Sequence, residues 1–166
     1  MDPVENPFRP GAGRRPPVLA GRERILSNFG VVVRRAENYG EGDRSWVING
    51  LRGVGKTVLL NELMSQANAR KWIVAKVEAS ASAPLRKVLA TELVKALRTA
   101  TGRHADRSKW KRVLGVLRSF TLKLGIDGIT LGIDVDPVHG VADSGTFGDD
   151  LAALLEVIGE ASLEFG

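Results

Sequence analysis

The segment Gly50-Leu51-Arg52-Gly53-Val54-Gly55-Lys56-Thr57 constrains this chain more than any other, because it satisfies G-x-x-x-x-G-K-[ST] at every fixed position. Each fixed residue has a physical reason. Glycines let a backbone turn back on itself at positive φ and bring its N–H groups close to an anion with no Cβ in the way. Lys56 supplies a point charge for the β- and γ-phosphates of a polyphosphate, and the Thr57 hydroxyl is a ligand for Mg²⁺. A helix following directly would add the partial positive charge of its N-terminus. The nucleotide-binding set read from the motif is Gly50, Arg52, Gly53, Val54, Gly55, Lys56, Thr57 and Val58, with Thr57 also the metal residue. The ligands it implies are ATP, or a closely related nucleoside triphosphate, and Mg²⁺.

The flanks give the motif a context. Ser45-Trp46-Val47-Ile48-Asn49 is a short β-prone run, and Val58, Leu59, Leu60, Leu63, Met64 and Ala67 follow the loop at helical spacing. Trp72-Ile73-Val74-Ala75-Lys76-Val77 reads as a second strand, so residues 45–78 predict one βαβ unit with parallel strands. The expected fold class is therefore α/β, a P-loop NTPase with a parallel sheet between two helical layers.

Outside that unit the chain falls into recognisable pieces. Residues 1–20 hold five prolines and predict an extended leader, with the domain proper running from 21 to 166. Ile25, Leu26, Phe29, Val32 and Val33 predict a helix over about 22–37, closed by Asn38-Tyr39-Gly40. Further helices are expected between about 84 and 118, broken at Gly102. The first carries Leu85, Val88, Leu89, Leu93 and Leu97, and the second, over 106–118, carries Trp110, Val113, Leu114 and Leu117. Phe120, Leu122, Leu124 and Ile126 alternate, as do Ile129, Leu131, Ile133 and Val135, with Asp127-Gly128 between them. This predicts an inserted β-hairpin over about 120–135. Thr146 and Asp149 resemble a capping box opening a last helix over about 147–162.

Composition excludes several chemistries. The chain has no cysteine and two histidines, which removes disulfides and thiolate metal sites. The N-terminus has no basic and apolar leader, and no apolar run approaches the roughly 18 residues of a membrane span, so the expectation is a cytoplasmic protein with no membrane partner. Charge is uneven. Of the 24 basic and 19 acidic residues, those after Arg118 comprise Lys123 alone against nine acids. Arg98 and Arg103, with Arg107, Lys109, Lys111 and Arg112 of the helix over 106–118, keep open a nucleic-acid interface, beside the plainer reading of a solvated helix face.

Upstream of the loop, Pro17-Val18-Leu19-Ala20-Gly21-Arg22-Glu23 resembles the Gly-Arg-Glu box that precedes the phosphate loop in AAA-type ATPases, particularly the origin-recognition-like and STAND branches. The resemblance covers about residues 6–100. It implies an adenine pocket lined by Val18, Leu19 and Arg22, and a regulatory ATPase that works through self-association or a partner protein. A hydrolysing member also needs an acidic strand end to hold the Mg²⁺ water shell. Asp134, after Ile129-Thr130-Leu131-Gly132-Ile133, is rejected for that role because the run alternates and is explained by the hairpin. No catalytic residue is assigned, and hydrolysis by this chain alone is not expected. The family's remaining catalytic segments come later in the chain, so the sequence reads as the N-terminal part of a longer protein. A small-molecule kinase sharing the same loop is the rival reading.

Overall fold

A computed structural model describes residues 19–101, 107–123, 125 and 135–163. The chain divides into two compact units at the junction of residues 74 and 75.

The first unit contains α1, Glu23–Tyr39, and α2, Lys56–Ala69. Helix α1 places Val33 in the core, and α2 places Leu59, Leu63 and Ala67 there at the spacing of one helix face. The two helices pack against each other. Helix α1 stops at Gly40, whose left-handed φ of 66° lets its N–H return to the Ala36 carbonyl. The far ends are tied by Glu37, which accepts hydrogen bonds from Arg70 at 2.6 Å and from the Trp72 indole at 3.2 Å. Phe29 meets Trp46 edge to face with ring centroids 5.9 Å apart, and the Trp46 indole donates to Asp43. That bond, with help from the Arg44 amide, holds the Asp43 carboxyl below its ordinary pKa.

No strand is present among the described residues, which overturns the expectation of a parallel α/β sheet. The runs 45–49 and 72–77 carry no regular structure, and the one β-type pairing described is an isolated antiparallel bridge between Ser80 and Ala83. The physical reason lies in what a strand requires. A β-prone run of five or six residues gains its stability from a neighbour's ladder and from packing on its faces, not from its own backbone. Val47, at the middle of the first run, is 87% exposed.

The second unit holds α3, Leu85–Thr101, α4, Arg107–Lys123, and α5, Phe147–Leu163. Helix α4 is its centre and packs on both α3 and α5. The core draws Leu93, Val94 and Leu97 from α3, Trp110, Val113, Leu114, Leu117 and Phe120 from α4, and Leu154, Val157 and Ile158 from α5. Phe120 also stands 6.1 Å from the Phe147 ring at the start of α5.

The expected hairpin over 120–135 is corrected here. Its first residues, 120–123, are the last turn of α4, closed by Gly125 at φ 62° with its N–H on the Leu122 carbonyl. The stripe Val113, Val116, Leu117, Phe120 has the spacing of three and four that a helix buries on one side, and it outcompetes the alternation of two that starts at the same Phe120. Residues 124 and 126–134, including Asp127-Gly128 and Asp134, lie outside the described residues.

From Val135 the chain runs alongside α4 and is pinned to it. The Val138 N–H donates to the Gly115 carbonyl at 3.2 Å, Ser119 Oγ donates to the Val138 carbonyl at 2.7 Å, and the Arg118 guanidinium donates to the Val135 carbonyl. Gly115 makes that approach possible. A Cβ on it would stand 2.8 Å from the Asp136 carbonyl oxygen and 2.8 Å from Val138 Cγ2. In an open helix Gly→Ala gains up to about 1 kcal/mol. Gly115→Ala is expected instead to lose about 1 to 2 kcal/mol, the net of that gain and an overpacking cost. Urea unfolding checks the sign, and a stabilised variant would show that the 135–138 segment is not seated on α4.

Candidate functional site

The loop preceding α2 takes its shape from its glycines. Gly50, Gly53 and Gly55 have φ of 147°, 86° and 82°, values that residues with a Cβ seldom adopt. Gly55 is the N-cap of α2, so its left-handed turn converts the loop directly into helix. Lys56, Thr57 and Val58 are then the first three helical residues. The first N–H groups of any α-helix lack intrahelical partners. In α2 the glycine cap brings no side chain to them, and the first turn contains no acid. The end of α2 therefore presents amide donors and the positive end of a helix dipole.

Lys56 is half-buried, and its side chain turns back over the loop. Its Nζ donates to the Gly50 carbonyl at 2.9 Å and to the Leu51 carbonyl at 2.7 Å. These bonds close the loop on itself, joining the first helical side chain of α2 to the loop's entry. Thr57 is exposed at the second position of the helix, and Arg52, Gly53 and Val54 form the exposed crest of the loop.

The upstream box arrives at the same loop. Gly21 turns at φ 73°, its N–H donating to Glu23 Oε1 at 3.2 Å, and Arg22 is the N-cap residue of α1. Arg22 Nη2 donates to the Val54 carbonyl at 2.9 Å, across 32 positions of sequence. Leu19 is half-buried, and Val18 lies outside the described residues. The sequence resemblance assigns Arg22 to a base pocket, whereas its observed contact is with the backbone of the glycine loop before α2. No spacing rule would have found that contact, since it depends on how α1 and α2 pack.

The basic residues of α4 differ in their surroundings. On α4 Lys111 and Arg112 are exposed, while Arg118 is half-buried and bonded to the 135–138 segment. Among the described residues there is no cluster of three or more His, Asp or Glu suited to a metal ion, and no helix long and apolar enough to cross a membrane.

A glycine-shaped loop that runs into the free end of a helix, with a lysine folded over it, defines a class of polyanion-binding proteins. The family assignment is narrower: a family model described as AAA ATPase domain matches residues 18–162, and the chain belongs to that family. It is thus an AAA-type, nucleotide-binding domain. Neither the curated proteins nor the solved structures yield a match.

Proposed function

We propose that this chain binds ATP through residues 50–58, with Mg²⁺ held between the Thr57 hydroxyl and the phosphates. The observation that carries this reading is the combination of three features in one loop: the left-handed Gly55 cap, the acid-free first turn of α2, and the Lys56 ammonium folded back onto the Gly50 and Leu51 carbonyls. In this reading Gly50, Gly53 and Gly55 give the curvature, and the backbone of Arg52, Val54 and Val58 supplies further amides around the phosphates. Lys56 exchanges two neutral carbonyl partners for phosphate oxygens, a stronger charge-assisted pairing. A single protein hydroxyl suits Mg²⁺, which takes oxygen donors and keeps several waters alongside substrate phosphates. The Gly21-Arg22-Glu23 box supports a place among the origin-recognition-like and STAND branches, where nucleotide occupancy regulates assembly, with Leu19 and Val18 toward the base.

Lys56→Ala is expected to weaken ATP binding at least tenfold, the loss of one charge-assisted contact worth roughly 1.5 to 3 kcal/mol. Titration calorimetry in Mg²⁺ on wild type and variant measures it, with circular dichroism to confirm that both are folded. Equal affinities would remove the phosphate loop from the account.

A further inference from the structure

We propose that Arg22 is a positioning residue of the phosphate loop, which straps the loop's crest to α1 and strengthens the Gly55 amide as an anion donor. The proposal rests on the nucleotide-binding reading of residues 50–58 and says which residue outside the loop sets its strength.

The Arg22 contact falls on the peptide unit joining Val54 to Gly55. One end of that unit is the Val54 carbonyl, and the other is the Gly55 N–H. Its orientation is set by ψ of Val54 and φ of Gly55; Gly55 is in the left-handed region at φ 82°, and Gly53, one residue before Val54, is there too at φ 86°. Rotation about those dihedrals would turn its amide away from the site. The Arg22 guanidinium donates to the Val54 carbonyl at 2.9 Å and opposes that rotation.

Arg22 can act as a strap because its own backbone is fixed. The Leu26 N–H donates to the Arg22 carbonyl at 3.0 Å, which makes Arg22 part of the first turn of α1, and Val33 anchors that helix in the core of the unit. Residues 32 apart in sequence are thereby joined by a hydrogen bond from a charged donor. Hydrogen bonds at the two ends of one peptide unit polarise each other, so a cation on the carbonyl makes the N–H a better donor. The strap therefore orients the Gly55 amide and raises its affinity for negative charge.

This role differs from a base contact in a way that ligands can separate. If Arg22 acts on the loop, its loss weakens every polyphosphate by the same factor, whether or not a base is attached. If it lines the base pocket, ATP suffers and inorganic tripolyphosphate does not.

The test compares wild type, Arg22→Lys and Arg22→Ala. Calorimetry reads binding of Mg-ATP and of inorganic tripolyphosphate, and ¹⁵N NMR of the ligand-free protein reads the Gly55 amide. Arg22→Ala is expected to weaken both ligands by a common factor of roughly tenfold, the scale of one charge-assisted hydrogen bond. Arg22→Lys is expected to recover part of it, and the Gly55 resonance should move in both variants. Loss of ATP affinity with tripolyphosphate unchanged overturns the strap in favour of a base contact. An unmoved Gly55 amide in Arg22→Ala also overturns it, and needs no ligand. Failure of wild type to bind either ligand would instead refute the nucleotide-binding reading, and the Gly55 resonance would still decide whether the strap exists.

Discussion

Phe120→Ala is expected to destabilise the second unit by roughly 3 to 5 kcal/mol, whereas Leu122→Ala, two residues on, should change stability by less than about 0.5 kcal/mol. Phe120 is 0% exposed and meets Phe147, while Leu122 is 59% exposed. The pair is chosen because a strand would treat the two positions alike. Residues i and i+2 of a strand share one face, so a hairpin beginning at Phe120 would bury both or neither. On α4 they lie about 200° apart around the axis, and only one can face α5. Chemical denaturation of the two variants measures the difference. Comparable losses at both positions would restore the hairpin and shorten α4.

That contrast shows what kind of information the residues carry locally. Helix α1 is legible because its apolar residues repeat every three or four positions and Gly40 supplies its left-handed stop. The beginning of α2 is legible for a chemical reason, since Gly55-Lys56-Thr57 is a loop-to-helix junction in any setting that uses it. The sheet was not. Ser45–Asn49 and Trp72–Val77 have β-prone compositions, but a strand is a relation between segments distant in sequence, and composition states only that a segment would suit one. In the structure neither run has a ladder, and the expectation of a parallel sheet fails there.

The candidate site divides in the same way. The loop residues and the roles proposed for them come from spacing, because they are contiguous and each proposed role has a separate chemical reason. What the sequence could not give is the relation of Arg22 to Val54, or the return of Lys56 to the Gly50 and Leu51 carbonyls. The first needs the packing of α1 against α2. The second is a choice of rotamer made by a long flexible side chain among several acceptors within its reach.

Asp150 provides the second large expected effect, and it lies one position after the residue that the pattern selects. The sequence pairs Thr146 with Asp149 as a capping box, but the acid that organises the start of α5 is Asp150, 2% exposed. One carboxylate oxygen accepts from the Ser144 N–H at 2.8 Å and the Ser144 hydroxyl at 2.7 Å, and the other accepts from the Gly145 N–H at 2.9 Å. The Asp150 N–H in turn donates to the Thr146 carbonyl at 2.9 Å, closing the first turn. Burial by itself acts to raise the Asp150 pKa. The bonds from Ser144 and Gly145 and the charge of Lys123 outweigh it, and the carboxyl titrates below its ordinary value of 3.8. A folded-state pKa lower than the unfolded one means the stabilisation is fully present above about 3.8 and is lost as pH falls through the folded value. Asp150→Ala is expected to cost about 3 kcal/mol at neutral pH, because it leaves two backbone donors and a hydroxyl without their acceptor. Asp150→Asn should cost nearly as much, since one amide end must face a donor with another donor. Asp149→Ala, at an exposed site that offers only a favourable charge near the helix start, should cost about 0.3 to 1 kcal/mol. Urea unfolding from pH 7 down to pH 2.5 separates these cases. Wild type should lose part of its advantage over Asp150→Asn at the acid end, and a gap between the two that stays constant over that range would show that the Asp150 charge contributes nothing to the cap.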